Sequence, residues 1–449
     1  MLTPDDAQGR ALALIDRARR AGADAADAVY LAESSNSISV RLGRLEDVER
    51  SESEHMGLRV FIGRRSASIG STDLGDAALD ELAARAVAMA GAAPEDPWSG
   101  LAPADLLTQA PYADLDLFDP APEPGAQALR DAALATEDAA RAVPGVTNSE
   151  GATASASQSV FALATSHGFA GGYAGTGHSL SASVVAGEGG HMQRDYAWRG
   201  VRHAADLPAP AEIGALAAER AVARLNPARV KSGPLPVVYD PRVSPGLLGH
   251  LLGAISGAAI ARRSSFLLGR EDEQLFDSAI EIIDDPRRPR ASRSRPFDGE
   301  GLPTARRALV SGGRLTGWLM DSAAARQLGR APSGHAVRGG GGAPGVSASN
   351  LHLAAGSVTP AALIADIREG IYVTELIGSG VNGVTGDYSR GAAGFRIVNG
   401  EIAEAVAEFT VAGNLIEMFR AMTPANDLDW TRAVNAPTVR IDGMMVAGD

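Results

Sequence analysis

The stretch Ile371–Phe395, IYVTELIGSGVNGVTGDYSRGAAGF, decides how the chain is read. Six glycines fall between Gly378 and Gly394. A short strand-like run, Ile371–Val373, precedes them, and Ile397-Val398-Asn399-Gly400-Glu401-Ile402 follows with the Asn-Gly signal of a tight hairpin. Read this way, the segment is a glycine-rich loop between strands, free to adopt positive φ and to approach another chain or ligand closely. It carries Thr374, Glu375, Ser379, Asn382, Thr385, Asp387, Ser389 and Arg390, but no Cys, His or Lys. Such a surface can bind but offers no nucleophile or metal ligand of the usual kinds.

Working outward, 449 residues allow two or three domains with separate cores. A net charge of -13 argues against nucleic acid as a main partner, because phosphate binding needs a basic face. Lys231 is the only lysine, which disfavours Schiff-base and Walker-type phosphate chemistry. The absence of cysteine removes disulfides, thiolate zinc sites and Cys nucleophiles and fits a cytoplasmic protein. The acidic start Met1–Asp6 leads into a helical pattern and does not read as a signal peptide. The apolar run Gly246–Ala261 is too short for a membrane span and is interrupted by His250 and Ser256, so a buried helix is expected.

Helical spacing predicts helices over Pro4–Ala21, Asp76–Ala92, Gln127–Ala142, Ala211–Leu225, Ser244–Arg263, Ser322–Leu328, Thr359–Glu369 and Gly413–Met422. Strands are expected at Val29–Leu31, Ser37–Leu42, Gly57–Ile62, Arg65–Ser71, Pro236–Tyr239, Leu351–Leu353 and Pro437–Ile441, with a hairpin in Arg306–Met320. From Val146 to Val201 small residues alternate with apolar ones, most strictly in Ser179–Val184, as in half-buried antiparallel strands. Asn226–Pro236 reads as a boundary. Without βαβ regularity the expectation is a two-domain α+β fold. Residues 1–228 form an N-terminal domain with antiparallel strands, and 235–449 a mixed, strand-rich C-terminal domain.

The letters of Gly378–Gly383 match GxGxxG, with Glu404 about twenty residues on, but a dinucleotide site needs a helix after the glycines and none is expected here. The eight histidines make no HExxH pair, and His167, His178, His191 and His203 read as loop or surface residues before they read as ligands. Glu271-Asp272-Glu273 and Asp284-Asp285 read as solvated acids, and no serine lies in GxSxG or SxxK form. Asp284–Phe297, with Arg287, Arg288, Arg290, Arg293 and Arg295, reads as an exposed basic loop.

The second half resembles the TldD/PmbA family, once named for modulation of DNA gyrase, and within it the PmbA (TldE) branch. Ser294–Thr304, Gly317–Ser322, Arg338–Gly342 with Ser349-Asn350-Leu351, Tyr372–Asn382 with Thr385–Gly391, Gly413-Asn414-Leu415 and Asn426-Asp427-Leu428 carry the resemblance in matching order. It implies a protease system. TldD-type members are zinc peptidases with an HExxxH helix and a cysteine near the C-terminus. They pair with a PmbA-type subunit to trim or degrade unfolded peptides, including a peptide-antibiotic precursor and an antitoxin. In the matching helix here, Gly249 and Ala254 stand where the zinc histidines would be and His250 where the catalytic glutamate would be. A zinc peptidase site needs three ligands and a base. This chain is therefore expected to hold no cofactor, with zinc on a TldD-type partner.

The leading expectation is a non-catalytic or regulatory PmbA/TldE-type subunit of a cytoplasmic heterodimer that handles extended peptides, with a homodimer open when alone and no membrane or nucleic-acid partner. Arg338, Asn350, Glu375, Asn382, Asp387, Ser389 and Arg390 are the candidate cleft or interface residues, with exposed strand edges pairing to peptide backbone. The rivals are a self-sufficient, metal-independent hydrolase using Glu375 and Asp387, and a peptide-binding protein with no part in proteolysis.

Overall fold

The computed structural model describes residues 1–448. Its first half comprises α1 (Pro4–Arg20), β1 (Ala25–Arg41), β2 (Arg44–Ile62), β3 (Arg65–Ser71), α2 (Asp76–Ala92), α3 (Ala126–Arg141), β4 (Val146–Thr165), β5 (Ala170–Ala186), β6 (Gln193–Val201) and α4 (Pro210–Ala223). Local chemistry sets α1: the Thr3 hydroxyl accepts from the Asp6 N–H, proline opens the first turn, acids sit at its start and arginines at its end. The strands form one antiparallel sheet ordered β3-β2-β1-β4-β5-β6. Where two short strands were expected, β1 is one unbroken strand. Its polar middle, Glu33–Asn36, pairs with β2 on one side and β4 on the other, so the ladder bridges a stretch with no apolar signal.

Side-chain alternation divides this sheet into two unlike faces. Ala26, Ala28, Tyr30, Val160 and Ala162 point one way into a core with α1 and α2. Ile38, Val40, Ala152, Ala154, Leu180 and Ala182 share that parity and pack under α3 and α4. All four helices therefore cover one face, and the alanines let them approach closely. The opposite face carries the intervening hydroxyls: Ser155 and Ser179 bond across β4 and β5 at 2.7 Å, and Ser39 and Thr153 across β1 and β4 at 2.8 Å.

The second half runs β7 (Gly233–Tyr239), α5 (Pro245–Ala254), α6 (Gly257–Ala261), β8 (Ile282–Asp284), β9 (Arg307–Ser311), β10 (Arg314–Leu315), α7 (Ser322–Leu328), β11 (Ala336–Val337), β12 (Gly345–Val346) and β13 (Leu351–Leu353). It continues with α8 (Pro360–Ile364), β14 (Glu369–Val381), β15 (Asp387–Val398), β16 (Glu401–Asn414), α9 (Leu415–Arg420), β17 (Met422–Pro424), β18 (Val434–Asn435) and β19 (Val439–Ala447). One sheet is ordered β10-β9-β8-β13-β18. The other, β16-β15-β14-β7-β19-β17, closes into a barrel because β16 also pairs with β19. A single core joins the two, including Val237, Leu251, Leu309 and Phe419.

The glycine-rich segment is not the loop the sequence suggested. Four of its six glycines lie within β14 and β15, and only residues 382–386 turn between them. A Cβ on Gly394 would collide with the Tyr372 carbonyl oxygen, and one on Gly380 with that of Ser389. The register shifts near Thr374 and Ser379, as β-bulges do. These glycines serve close strand approach and bulging, not ligand contact. No helix follows them, as the GxGxxG reading would require.

The expected helix Ser244–Arg263 is broken. Leu319 bonds through its N–H to the Ile255 carbonyl at 2.9 Å and accepts the Gly257 N–H at 2.7 Å, so a strand-like bridge splits α5 from α6. The Thr359–Glu369 helix is also shorter, because Glu369 already pairs with Val398 at the start of β14. Asp284–Phe297 is exposed only in part: Arg287, Arg290 and Arg293 face solvent, whereas Asp284, Ser294 and Phe297 are buried.

Phe297 ties the two halves through an aromatic cluster. It packs with Val29, Leu163 and Phe169 of the first half, with ring centroids 5.0 Å from Phe169 and 5.6 Å from Tyr173. Another tie is ionic and buried. Buried Asp27 accepts from Arg59 Nε at 2.6 Å and from Arg338 Nε and Nη2 at 3.1 and 2.9 Å. Glu300 lies 3.9 Å from Arg59 and accepts the Ser322 N–H and hydroxyl. Burial raises the Glu300 carboxyl to about 7 despite the attraction of Arg59.

Candidate functional site

The N-terminus of α5 meets β6, the end of α4 and the β14–β15 ribbon around a cavity of about 360 Å³. Its charged wall residues come from six separate places in the fold, with Arg194 beside Asp195 on β6. Asp195 lies on β6, Arg224 just past α4, Arg242 between β7 and α5, Glu375 on β14, Arg390 on β15 and Arg432 before β18. Asp195 is buried between Arg242 at 2.9 Å and Arg224 at 3.5 Å. Arg224 also forms a close ion pair with Glu375, and Arg432 donates to the Arg242 carbonyl at 3.1 Å. The lining holds five arginines against two carboxylates, so its field favours negatively charged or carbonyl-bearing groups.

Of the residues expected from sequence, only Glu375 and Arg390 come together here. Arg390 reaches the Ile377 carbonyl at 3.4 Å and is half-buried. Asn382 closes the ribbon turn, its side-chain oxygen accepting from the Val384 and Thr385 N–H groups. Exposed Asp387 accepts from the Thr385 hydroxyl at 2.6 Å and the Asn414 amide at 3.3 Å, and these bonds hold its carboxyl below the ordinary range. Ser389 is exposed on β15 opposite Gly380. Arg338 is spent on Asp27, away from the ribbon. Asn350 is buried and pins the 285–294 loop through Asp285, Arg293 and Ser294. Sequence reasoning missed Asp195, Arg224, Arg242 and Arg432, single charged residues on unremarkable elements that only the tertiary fold gathers.

Along α5, Gly249 faces open space and Ala254 is buried. His250 stands edge-on to Tyr388, ring centroids 5.8 Å apart. Burial, and secondarily Arg390, lowers its pKa and keeps the imidazole neutral near pH 7. His178 and His203, read from the sequence as loop or surface residues, are buried. His167 bonds Thr165 and the Ala102 carbonyl, while His178 and His203 flank Asp119.

The strand edges are less open than expected. β7 covers β14 at residues 371–373, and β15 lies between β14 and β16. Only the outer half of β14, residues 374–381, pairs on one side alone, and the ribbon there exposes Ile377 and Val384.

Three family models match the chain: PmbA/TldA metallopeptidase domain 1 over residues 26–90, the central domain over 119–225, and the C-terminal domain over 232–448. The chain is 38% identical to metalloprotease PmbA of Escherichia coli over 427 residues, covering 95% of this chain and 92% of that one. It is 34% identical to the PmbA homolog of Haemophilus influenzae over 437 residues, covering 97% and 94%. A crystal structure from Bacteroides thetaiotaomicron, described as a modulator of DNA gyrase, superimposes with TM-score 0.91 at 26% identity over 100% of both chains. TldE of Thermococcus kodakarensis shares the fold, with TM-score 0.84 at 20% identity over 98% of this chain and 100% of that one.

A metallopeptidase centre needs three N, O or S ligands and a base. Residues 249 and 254 carry no donor atom, and the chain has no cysteine. Among the described residues, no group of three or more His, Asp or Glu side chains is placed to hold a metal ion. The residues present do not fit a catalytic zinc.

Proposed function

The chain belongs to the PmbA/TldA metallopeptidase family, and from that premise we propose that it is the non-catalytic, PmbA/TldE-type subunit of a cytoplasmic two-chain zinc protease. The zinc and its catalytic base reside on a TldD-type partner, and this chain completes the chamber in which unfolded peptides are held. The observation that carries this reading is α5, where Gly249 and Ala254, at the positions the resemblance assigns to zinc donors, offer no donor atom and the neutral His250 packs on Tyr388. The arginine-rich cavity at the start of α5 and the half-open edge of β14 form this chain's part of the cleft, binding substrate carbonyls and pairing with an extended backbone.

The geometry disfavours independent hydrolysis by Glu375 and Asp387. Glu375 pairs with Ala393, whereas Asp387 lies beyond the Val381–Tyr388 pair. Six residues of strand put them roughly 20 Å apart, beyond any shared proton transfer. Glu375 is committed to Arg224, and Asp387 is held ionised by its hydrogen bonds.

The test is a peptidase assay of this chain, a TldD-type chain from the same cell, and their mixture, each with and without chelator. Activity confined to the mixture and abolished by chelator is expected. Chelator-insensitive cleavage by this chain alone, or failure of the two chains to co-purify, contradicts the proposal.

A further inference from the structure

A second and larger cavity, about 760 Å³, lies between the two halves. Its floor is the helix-free face of the first sheet, where Ser155, Ser157 and Ser179 alternate with buried alanine and leucine. Its roof is the basic loop 288–293 and the segment 430–434. That loop, expected to be solvated, is held over the serine face by Asn350 and by Arg202, which donates to the Ser292 carbonyl at 2.6 Å and the Thr176 carbonyl at 2.9 Å.

Charge is unbalanced in this space. Five arginines line it and Asp206 is the one lining carboxylate, already paired with Arg290, which also holds Asp116. Arg202, Arg288, Arg293 and Arg432 have no carboxylate within ion-pair distance among the described residues. Arg288 instead stacks on Trp430, its guanidinium carbon 3.1 Å from the ring centroid, and Arg432 lies 5.6 Å from the Trp198 centroid. The Nε of Arg202 and the Nε2 of His178 are buried without hydrogen-bond partners. Burial lowers the pKa of both Arg202 and Arg288, and at Arg288 the attraction of Asp285 offsets it only in part. In a protein of net charge -13, four guanidiniums without an ion-pair partner around one cavity favour an anion.

We propose that this interdomain cavity is a binding site for short acidic peptide segments, with side-chain or terminal carboxylates on the guanidiniums of Arg288, Arg293 and Arg432 and the peptide lying against the serine face between Trp198 and Trp430. Planar guanidinium forks match carboxylate geometry. Strand hydroxyls supply adaptable donors and acceptors for peptide amides, and the two indoles give apolar walls. The volume suits a few residues, as in small-ligand pockets. An extended polyanion is disfavoured because the chain's net charge of -13 repels it. The assignment rests on the proposed peptide-handling function and names its ligand class.

The test is fluorescence anisotropy with the purified full-length chain alone. The probes are a labelled pentapeptide of alternating alanine and glutamate and its glutamine counterpart, with inorganic phosphate and a short single-stranded oligonucleotide as competitors. The glutamate peptide is expected to bind about tenfold or more tightly than the glutamine peptide, and salt should weaken it. The Arg288→Gln/Arg293→Gln double variant is expected to lose at least about tenfold in affinity. Circular dichroism confirms that the variant is folded, and Arg293→Gln alone changes an exposed side chain. No binding, equal binding of the two peptides, an unaffected folded variant, or stronger competition by phosphate or oligonucleotide overturns the assignment. Binding is read without the TldD-type partner. Acidic-peptide binding by a chain that never joins a protease would therefore refute the partnership and leave this site standing.

Discussion

Asp27→Asn tests how the two halves are held together. Asp27 accepts from Arg59 at 2.5 and 2.6 Å and from Arg338 at 2.9 and 3.1 Å, and all three residues are buried. The substitution preserves shape but removes the one carboxylate within ion-pair distance of Arg338 among the described residues, leaving its charge with neutral acceptors only, the new amide oxygen and the Gly339 carbonyl at 3.2 Å. Arg59 keeps Glu300 at 3.9 Å, a partial substitute. Breaking a buried pair by deleting one partner costs about 3–5 kcal/mol, chiefly because a desolvated charge is stranded. Urea unfolding followed by circular dichroism and by the fluorescence of buried Trp318 should report a loss of that size. Adding Arg338→Met should recover part of it, because the stranded cation is gone. A loss below about 1 kcal/mol would refute the reasoning, since it is the cost of a solvated pair.

Glu300→Gln should flatten the pH dependence of stability. Burial pushes the folded carboxyl up to about 7 from its ordinary 4.5 in the unfolded chain, so the folded state holds more protons between those values. Stability should therefore fall by about 3 kcal/mol as pH rises from 4.5 to 7, with the penalty fully present above 7. An unchanged slope in the variant contradicts this. Gly394→Ala should destabilise by about 1–3 kcal/mol, because the new methyl meets the Tyr372 carbonyl. Gly249→Ala, pointing into open space on α5, should be neutral or stabilising by up to about 1 kcal/mol. Paired thermal melts check the contrast. In the mixture with a TldD-type chain, Asp387→Asn should leave kcat within about twofold, whereas loss of a catalytic acid or base costs about a hundredfold or more.

The sequence makes the fold class legible wherever periodicity is clean. The strand Ser179–Val184 and the helix Asp76–Ala92 appear as their patterns predict, because each alternation maps directly onto a buried face. Glycine misleads in 371–395, since it signals both loops and tightly approached strands, and only the partner carbonyls of Gly380 and Gly394 distinguish them. The apolar continuity of 244–263 hides the Leu319 bridge that splits it, a contact made by a residue over fifty positions away. Glu375 and Arg390 are legible within one motif. Asp195, Arg224 and Arg242 are not, because charge clusters assembled from β6, α4 and the β7–α5 link leave no local pattern. Arg338 stands out in the sequence beside its glycines, yet its buried partner Asp27 lies 311 residues away.

Zinc stoichiometry on the purified chain, its TldD-type partner and their complex, after dialysis against zinc and then metal-free buffer, tests most directly whether the catalytic centre lies outside this chain. Substoichiometric zinc on this chain, with one ion per partner and one per heterodimer, is the expected result. A full equivalent retained by this chain alone would contradict it.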